Sequence, residues 1–251
     1  MGDRSTQLQR WLLQLGYRDY RLSPASEDAS FRSYLRLESA DQSLIVMDAP
    51  PDKESCDSFI DVAARLRAAE LMAPEIIAQN LEQGFLLVTD FGNDSYLSQL
   101  DDASEGGLYA DALSALLSMQ TQVESDGLPA YDGVLLNREM DLFHDWFLGR
   151  LLGIELDQKQ QLLWQDTKHS LIASALAQPR VFVHRDYHSR NLMKLDHRNP
   201  GILDFQDAVE GPVTYDLVSL LRDCYIAWPT GRVDQLVLDF TSLPVPVTCR
   251  M

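Results

Sequence analysis

Near the N-terminus, Leu8, Trp11, Leu12 and Leu15 recur at i, i+3, i+4 and i+7, the spacing that lines one face of a helix. Residues 17–23 and 31–38 then alternate apolar with polar positions, and 44–47 is a short apolar run. The pattern predicts three strands, the third ended by Pro50-Pro51. Phe59, Val62, Ala63 and Leu66 restore helical spacing over 55–71. Residues 75–79 and 84–89 read as two more strands, running into Asp90, Phe91, Gly92 and Asn93, where Gly and Asn mark a turn. Beyond it, 108–122, 138–152 and 158–176 carry helical spacing. A short strand at 181–183 ends in a polar cluster at 184–191, a second at 201–203 ends in Asp204, and 215–228 is again helical. The expected class is α+β. A small antiparallel sheet with one helix forms an N-terminal lobe over 1–92, and a larger, mainly helical lobe covers 93–251. No internal repeat or low-complexity tract interrupts this order.

Composition narrows the class without naming a function. With 251 residues, 45% hydrophobic and 24% charged, the chain can bury a real core and is neither disordered nor fibrous. Twenty-one basic against 38 acidic residues leave a net charge of −17, a field that repels polyanions. Nucleic acid and anionic membranes are therefore excluded as expected partners. Three cysteines without a CxxC pair do not form a disulfide framework. No basic n-region with an apolar core opens the chain, and no run approaches a membrane span. A cytoplasmic monomer is expected.

The chemistry-bearing stretches are the strand leading into His184-Arg185-Asp186-Tyr187-His188-Ser189-Arg190-Asn191 and the strand leading into Asp204-Phe205-Gln206-Asp207. Phosphoryl transfer from ATP needs a carboxylate near the acceptor hydroxyl and oxygen ligands that hold Mg2+ against the phosphates. Asp186, Asn191 and Asp204 supply that set. Asn191 follows Asp186 by five residues, as in the H-R-D-x-x-x-x-N loop, and Asp204-Phe205-Gln206 stands where D-F-G stands in kinases. Two other classes fit parts of the pattern. His184, Asp186, His188 and Asp204 also offer metal ligands to a hydrolase, and a non-catalytic nucleotide-binding module would keep the fold alone. The aromatics Trp146, Tyr225 and Trp228 could stack on a sugar, although helical spacing of aromatics more often marks core.

These motifs resemble the aminoglycoside phosphotransferase family within the protein-kinase-like fold. Further stretches are similar to its bacterial anomeric sugar kinases: Met47 to Pro51, Leu87 to Gly92, Arg138 to Phe147 and Tyr215 to Tyr225. The resemblance covers roughly residues 10 to 228. It implies a two-lobed kinase using ATP and Mg2+ to phosphorylate the 1-hydroxyl of N-acetylmuramate or N-acetylglucosamine in peptidoglycan recycling. An aminoglycoside or another small alcohol is the rival acceptor. The resemblance makes Asp186 the base or acceptor-orienting carboxylate, Asn191 and Asp204 metal ligands, and His184 structural support. It places Ser30, Met47, Thr89, Asp90 and Phe91 against the nucleotide, and Glu139, Trp146, Arg222 and Trp228, with Asp186, against the sugar. Two departures stand out. The third strand has Met47 and Asp48 where kinases carry a lysine that reaches the α/β-phosphates, leaving Arg32 or Lys53 as substitutes. Residues 229–251 do not resemble the family, whose members continue through further helices, so a truncated or altered C-terminal end is expected.

Overall fold

The computed structural model describes residues 2–26, 31–40 and 42–244. The chain divides into two compact units, one of residues 1–94 with 193–206 and the other of 95–192 with 207–251. Met193–Gln206 thus joins the first unit, although it lies within the 93–251 stretch.

In the first unit, the helical stripe at Leu8, Trp11 and Leu12 becomes α1 (Gly2–Gln14). It covers a five-stranded antiparallel sheet ordered β1 (Arg21–Ser26), β2 (Ser33–Glu38), β3 (Ser43–Asp48), β5 (Phe85–Thr89), β4 (Ile76–Asn80). The stripe packs on Leu37, Leu44, Val46, Phe85 and Leu87, with the Trp11 and Phe85 rings stacked 5.6 Å apart. Each such side chain contributes roughly 1.5–3 kcal/mol by leaving water. β5 sits between two neighbours and is buried on both faces, which is why its sequence is continuously apolar rather than alternating. In the turn before it, Gly84 has φ +69°, and a Cβ there would overlap the Ala49 carbonyl. Only glycine fits that approach. On α2 (Asp57–Ala68), Phe59, Val62, Ala63 and Leu66 are buried as their spacing predicts. Phe59 meets Phe205 at 4.9 Å, and β8 (Gly201–Ile202) is tied to this unit by the Ile202 N–H donating to the Met72 carbonyl at 2.7 Å.

The second unit is mainly helical. It contains α3 (Tyr96–Gln99), α4 (Glu105–Gln122), α5 (Gly133–Leu142), α6 (Gln158–Leu176), α7 (Tyr215–Leu221) and α8 (Thr230–Ser242). One small sheet pairs β6 (Arg180–Val183) antiparallel with β9 (Val209–Pro212), over a core of Tyr131, Val183 and Val209. β6 runs through the loop 184–191 into β7 (Leu192–Met193).

Several elements differ from the sequence pattern, and the strand expected over 17–23 is β1, which begins at Arg21 and runs to Ser26. The helix expected over 138–152 starts earlier, because the Asp132 carboxylate caps the Leu135 N–H at 2.9 Å. It then widens to a π-helix over Phe143–Leu151, in which no residue is buried. The helix expected over 215–228 stops at Leu221, and the Asp223 carboxylate accepts the Tyr225 N–H at 2.8 Å, a local bond that competes with continuing the helix. α8 falls in the stretch set aside as divergent. It buries Val233 and Leu236 and is held by the Arg232 fork on Glu105 at 2.7 and 3.0 Å.

Candidate active site

β6 delivers His184–Asn191 from a buried strand into a loop whose backbone is pinned at both ends by carboxylates flanking α7. Asp216, in the first turn of that helix, is 1% exposed. It accepts the His184 N–H at 2.7 Å and the Arg185 N–H at 3.0 Å. Asp223, beyond the helix end, accepts the Ser189 N–H at 2.9 Å, the Ser189 hydroxyl and the Tyr225 N–H. A carboxylate near a helix C-terminus faces the negative end of the dipole, and three donors compensate it. Sequence spacing singled out neither carboxylate as a loop anchor. The signal available was two acids seven residues apart, bracketing a short apolar helix.

Inside the loop, the Asp186 carbonyl accepts the His188 N–H at 3.1 Å and the Asn191 side-chain amide at 3.0 Å. That second bond fixes the Asn191 amide and turns its oxygen away from the backbone carbonyl. Arg185 has φ +78°, an unusual left-handed conformation for a long side chain immediately before Asp186. Its guanidinium is held by Glu139, which also accepts the Tyr131 hydroxyl. His184 is fully buried, and its Nδ1 accepts the Asp186 N–H at 3.3 Å. The ring therefore supports the loop, which argues against its use as a hydrolase metal ligand.

Electrostatics at the loop follow from burial. Asp216 is pushed up from 3.8 to about 7 because desolvation, reinforced by the Asp186 charge, outweighs the two N–H donors. Burial likewise lifts the Tyr187 hydroxyl well above its usual range, and that hydroxyl donates to the Ala112 carbonyl at 2.8 Å.

In the first unit, Asp204 stands just after β8 with φ +63°, and its Oδ1 accepts the Gln206 amide at 2.8 Å. A second left-handed residue thus lies at a position singled out for chemistry. Ser30 lies outside the described residues. Met47 is fully buried in β3 and offers core packing rather than a surface for a nucleotide. The 89–91 segment has its side chains committed. Thr89 Oγ1 accepts the Glu75 N–H at 2.6 Å. Asp90 takes Arg36 at 2.6 and 3.1 Å, Ser43 at 2.5 Å and the Gly92 N–H at 2.8 Å. The Phe91 ring presses on Gly201. Burial alone would raise the Asp90 carboxyl, but these donors hold it below its ordinary value. The side chains of this segment are thus engaged within the fold.

Of the four residues expected at the sugar, Glu139 is tied to the 184–191 loop through Arg185. Glu139 serves Arg185 and Tyr131, and Trp228 donates its indole N–H to Tyr109 at 2.7 Å. Trp146, 56% exposed on the π-helix, lies under Arg150 at 4.3 Å. Arg222 is exposed at the end of α7.

The chain resembles known proteins in sequence and in fold. The model of a family described as "Phosphotransferase enzyme family" matches residues 21–246, which takes in 229–246, left outside the resemblance by the residues alone. A Pseudomonas aeruginosa protein named N-acetylmuramate/N-acetylglucosamine kinase is 50% identical over 212 residues, covering 84% of this chain and 62% of that protein. A Neisseria meningitidis protein of the same name is 40% identical over 97% of this chain and 75% of its own length. The chain spans less than two thirds of the length of the Pseudomonas relatives. Among solved structures, a choline kinase from Streptococcus pneumoniae superimposes with TM-score 0.70 at 10% identity, over 97% of this chain and 82% of that one. An ADP-bound aminoglycoside phosphotransferase gives 0.65 at 14%, over 94% and 81%. The fold is theirs, a protein-kinase-like one.

Proposed function

The chain belongs to the phosphotransferase enzyme family, and from that membership we propose that it transfers the γ-phosphoryl group of ATP to the anomeric 1-hydroxyl of N-acetylmuramate or N-acetylglucosamine. The observation that carries this reading is the His184–Asn191 loop, with phosphotransferase spacing and a backbone locked by Asp216 and Asp223, in a chain 40–50% identical to proteins named as such kinases. The sugar hydroxyl oxygen attacks the γ-phosphorus, the bond to the β-phosphate oxygen breaks, and ADP leaves. Asp186 orients the hydroxyl and takes its proton. Positioning by such a group contributes typically about 10²- to 10⁴-fold.

Asn191 and Asp204 would hold Mg2+. Both offer hard oxygen donors, Asn191 with its amide nitrogen already donating to the Asp186 carbonyl. That fits an ion that takes one or two protein oxygens and completes its shell with phosphates and water. When bound, Mg2+ neutralises charge on the transferring phosphates. The product, a sugar 1-phosphate, suits recycling of cell-wall amino sugars in the cytoplasm by a monomeric enzyme. Among the described residues no helix is long and apolar enough to cross a membrane.

A ³¹P NMR spectrum of the chain with ATP, Mg2+ and N-acetylmuramate tests the reading. A new phosphomonoester coupled to the anomeric proton, lost in Asp186→Asn, is the expected result. ADP formation with no such resonance would overturn the substrate assignment, and a full signal in Asp186→Asn would overturn the role of Asp186.

A further inference from the structure

Of the two residues assigned to Mg2+, Asp204 belongs to the first unit. It is exposed, yet its φ is +63°, a left-handed state that aspartate tolerates better than most residues but that still costs energy. Phe205 follows, fully buried, with its ring 4.9 Å from that of Phe59 on α2, which anchors the turn to the core. Gln206 then stands where D-F-G kinases carry glycine, and it too is buried. Its Nε2 donates to Asp204 Oδ1 at 2.8 Å. Its Oε1, also buried, accepts no hydrogen bond among the described residues.

Stability does not account for a glutamine here. Water satisfies an exposed carboxylate without ordering it, so a bond from a buried amide adds little stability while it removes rotamer freedom. A buried carbonyl oxygen without a partner is unfavourable. For packing alone, a methionine of similar length would suit position 206 at least as well. What glutamine supplies and methionine does not is a donor fixed against one oxygen of the Asp204 carboxylate. Backbone strain and orphaned buried groups of this kind gather at functional sites.

We propose that Gln206 is a positioning residue, whose amide fixes the rotamer of the Asp204 carboxylate in the orientation that takes the cation. The inference rests on the reading above that Asp204 holds Mg2+. Glycine at this place would loosen the backbone after Phe205 and leave the carboxylate to turn in water. Glutamine removes both freedoms, so the side-chain entropy is lost on folding rather than on metal binding. Partners that orient a metal-binding carboxylate in this way are worth about 10- to 100-fold in metal affinity.

Calorimetric titration with ADP at rising Mg2+ and, separately, with adenosine tests this on wild type, Asp204→Asn, Gln206→Met and Gln206→Leu. The quantity read is the Mg2+ concentration that half-completes the tightening of ADP binding. Gln206→Met should raise it roughly 10- to 100-fold and leave adenosine within about twofold. In urea, the metal-free Gln206→Met protein should unfold at the wild-type midpoint or above it, because the orphaned carbonyl is gone. If Gln206→Met melts early, Gln206→Leu, which also lacks the donor, carries the test. Equal weakening of ADP and adenosine, or a loss of stability with the Mg2+ requirement unchanged, would overturn the inference. So would an unchanged requirement in Gln206→Met beside a raised one in Asp204→Asn, and that result leaves the metal reading standing. A wild type whose ADP binding Mg2+ does not tighten, or an Asp204→Asn protein that matches wild type, sinks the metal reading together with this inference.

Discussion

Asp216 poses a contest between two effects of opposite sign. Two backbone N–H donors favour its ionised form, while complete burial and the nearby Asp186 charge disfavour it. Burial wins, holding the proton up to about pH 7 against 3.8 for an ordinary carboxyl. A folded-state pKa above the unfolded one means that the native protein binds the extra proton between those values. Stability is then full below about pH 4 and falls as pH rises towards 7 and beyond. At about 1.36 kcal/mol per pH unit, the whole window is worth roughly 4 kcal/mol, and the stretch from pH 5 to 7 roughly 3. Asp216→Asn keeps the shape and one acceptor but cannot titrate. Its amide faces a second N–H, so it should be less stable than wild type at pH 5, and the gap should shrink by roughly 3 kcal/mol at pH 7. Urea unfolding of both proteins at pH 5, 6, 7 and 8 isolates the residue, because other titrating groups cancel in the difference. A gap that stays constant would refute the linkage. It would show that the N–H donors outweigh desolvation and that Asp216 is ionised in the native state at all four pH values.

Other perturbations probe the remaining contacts. Asp223→Ala strips the acceptor from the Ser189 N–H, its hydroxyl and the Tyr225 N–H. At about 1–3 kcal/mol per buried orphaned group, urea unfolding should show a loss of several kcal/mol, whereas Ser189→Ala should cost only about 1 kcal/mol. Asp90→Asn should destabilise by about 1–3 kcal/mol at pH 7. Its folded pKa lies below the ordinary 3.8, so the difference should persist down to about that pH and vanish as pH falls through the lower folded value, which acid titration followed by circular dichroism would register. Gly201→Ala sets a Cβ 2.8 Å from Phe91 Cδ2 and 3.2 Å from Leu195 Cδ1. The ring must move, which urea unfolding should register as a loss of about 1–3 kcal/mol.

Much of this protein could be read along the chain, because the features concerned are local. The stripe of Leu8, Trp11 and Leu12, the alternation in β2 and the apolar run of β5 report the face each element buries. Asp186, Asn191 and Asp204 declare themselves by their spacing behind two short strands. Tertiary structure decided what depends on partners far apart in sequence. It showed that Asp216 and Asp223, 31 and 34 residues from their loop partners, lock the loop, and that Glu139 and Trp228 serve Arg185 and Tyr109. It turned Asp90 towards Arg36, 54 residues away, and set Arg32 on Glu54. β9, with Gly211 and Pro212 in its short span, reads as loop until β6 supplies its hydrogen bonds, and Tyr215–Leu221 ends where a carboxylate captures the next turn's backbone. The sequence on its own determined which elements form and which residues can do chemistry, since periodicity and motif spacing are properties of neighbouring positions. Only the folded chain decided which charges neutralise one another, since that depends on distances that no local pattern encodes.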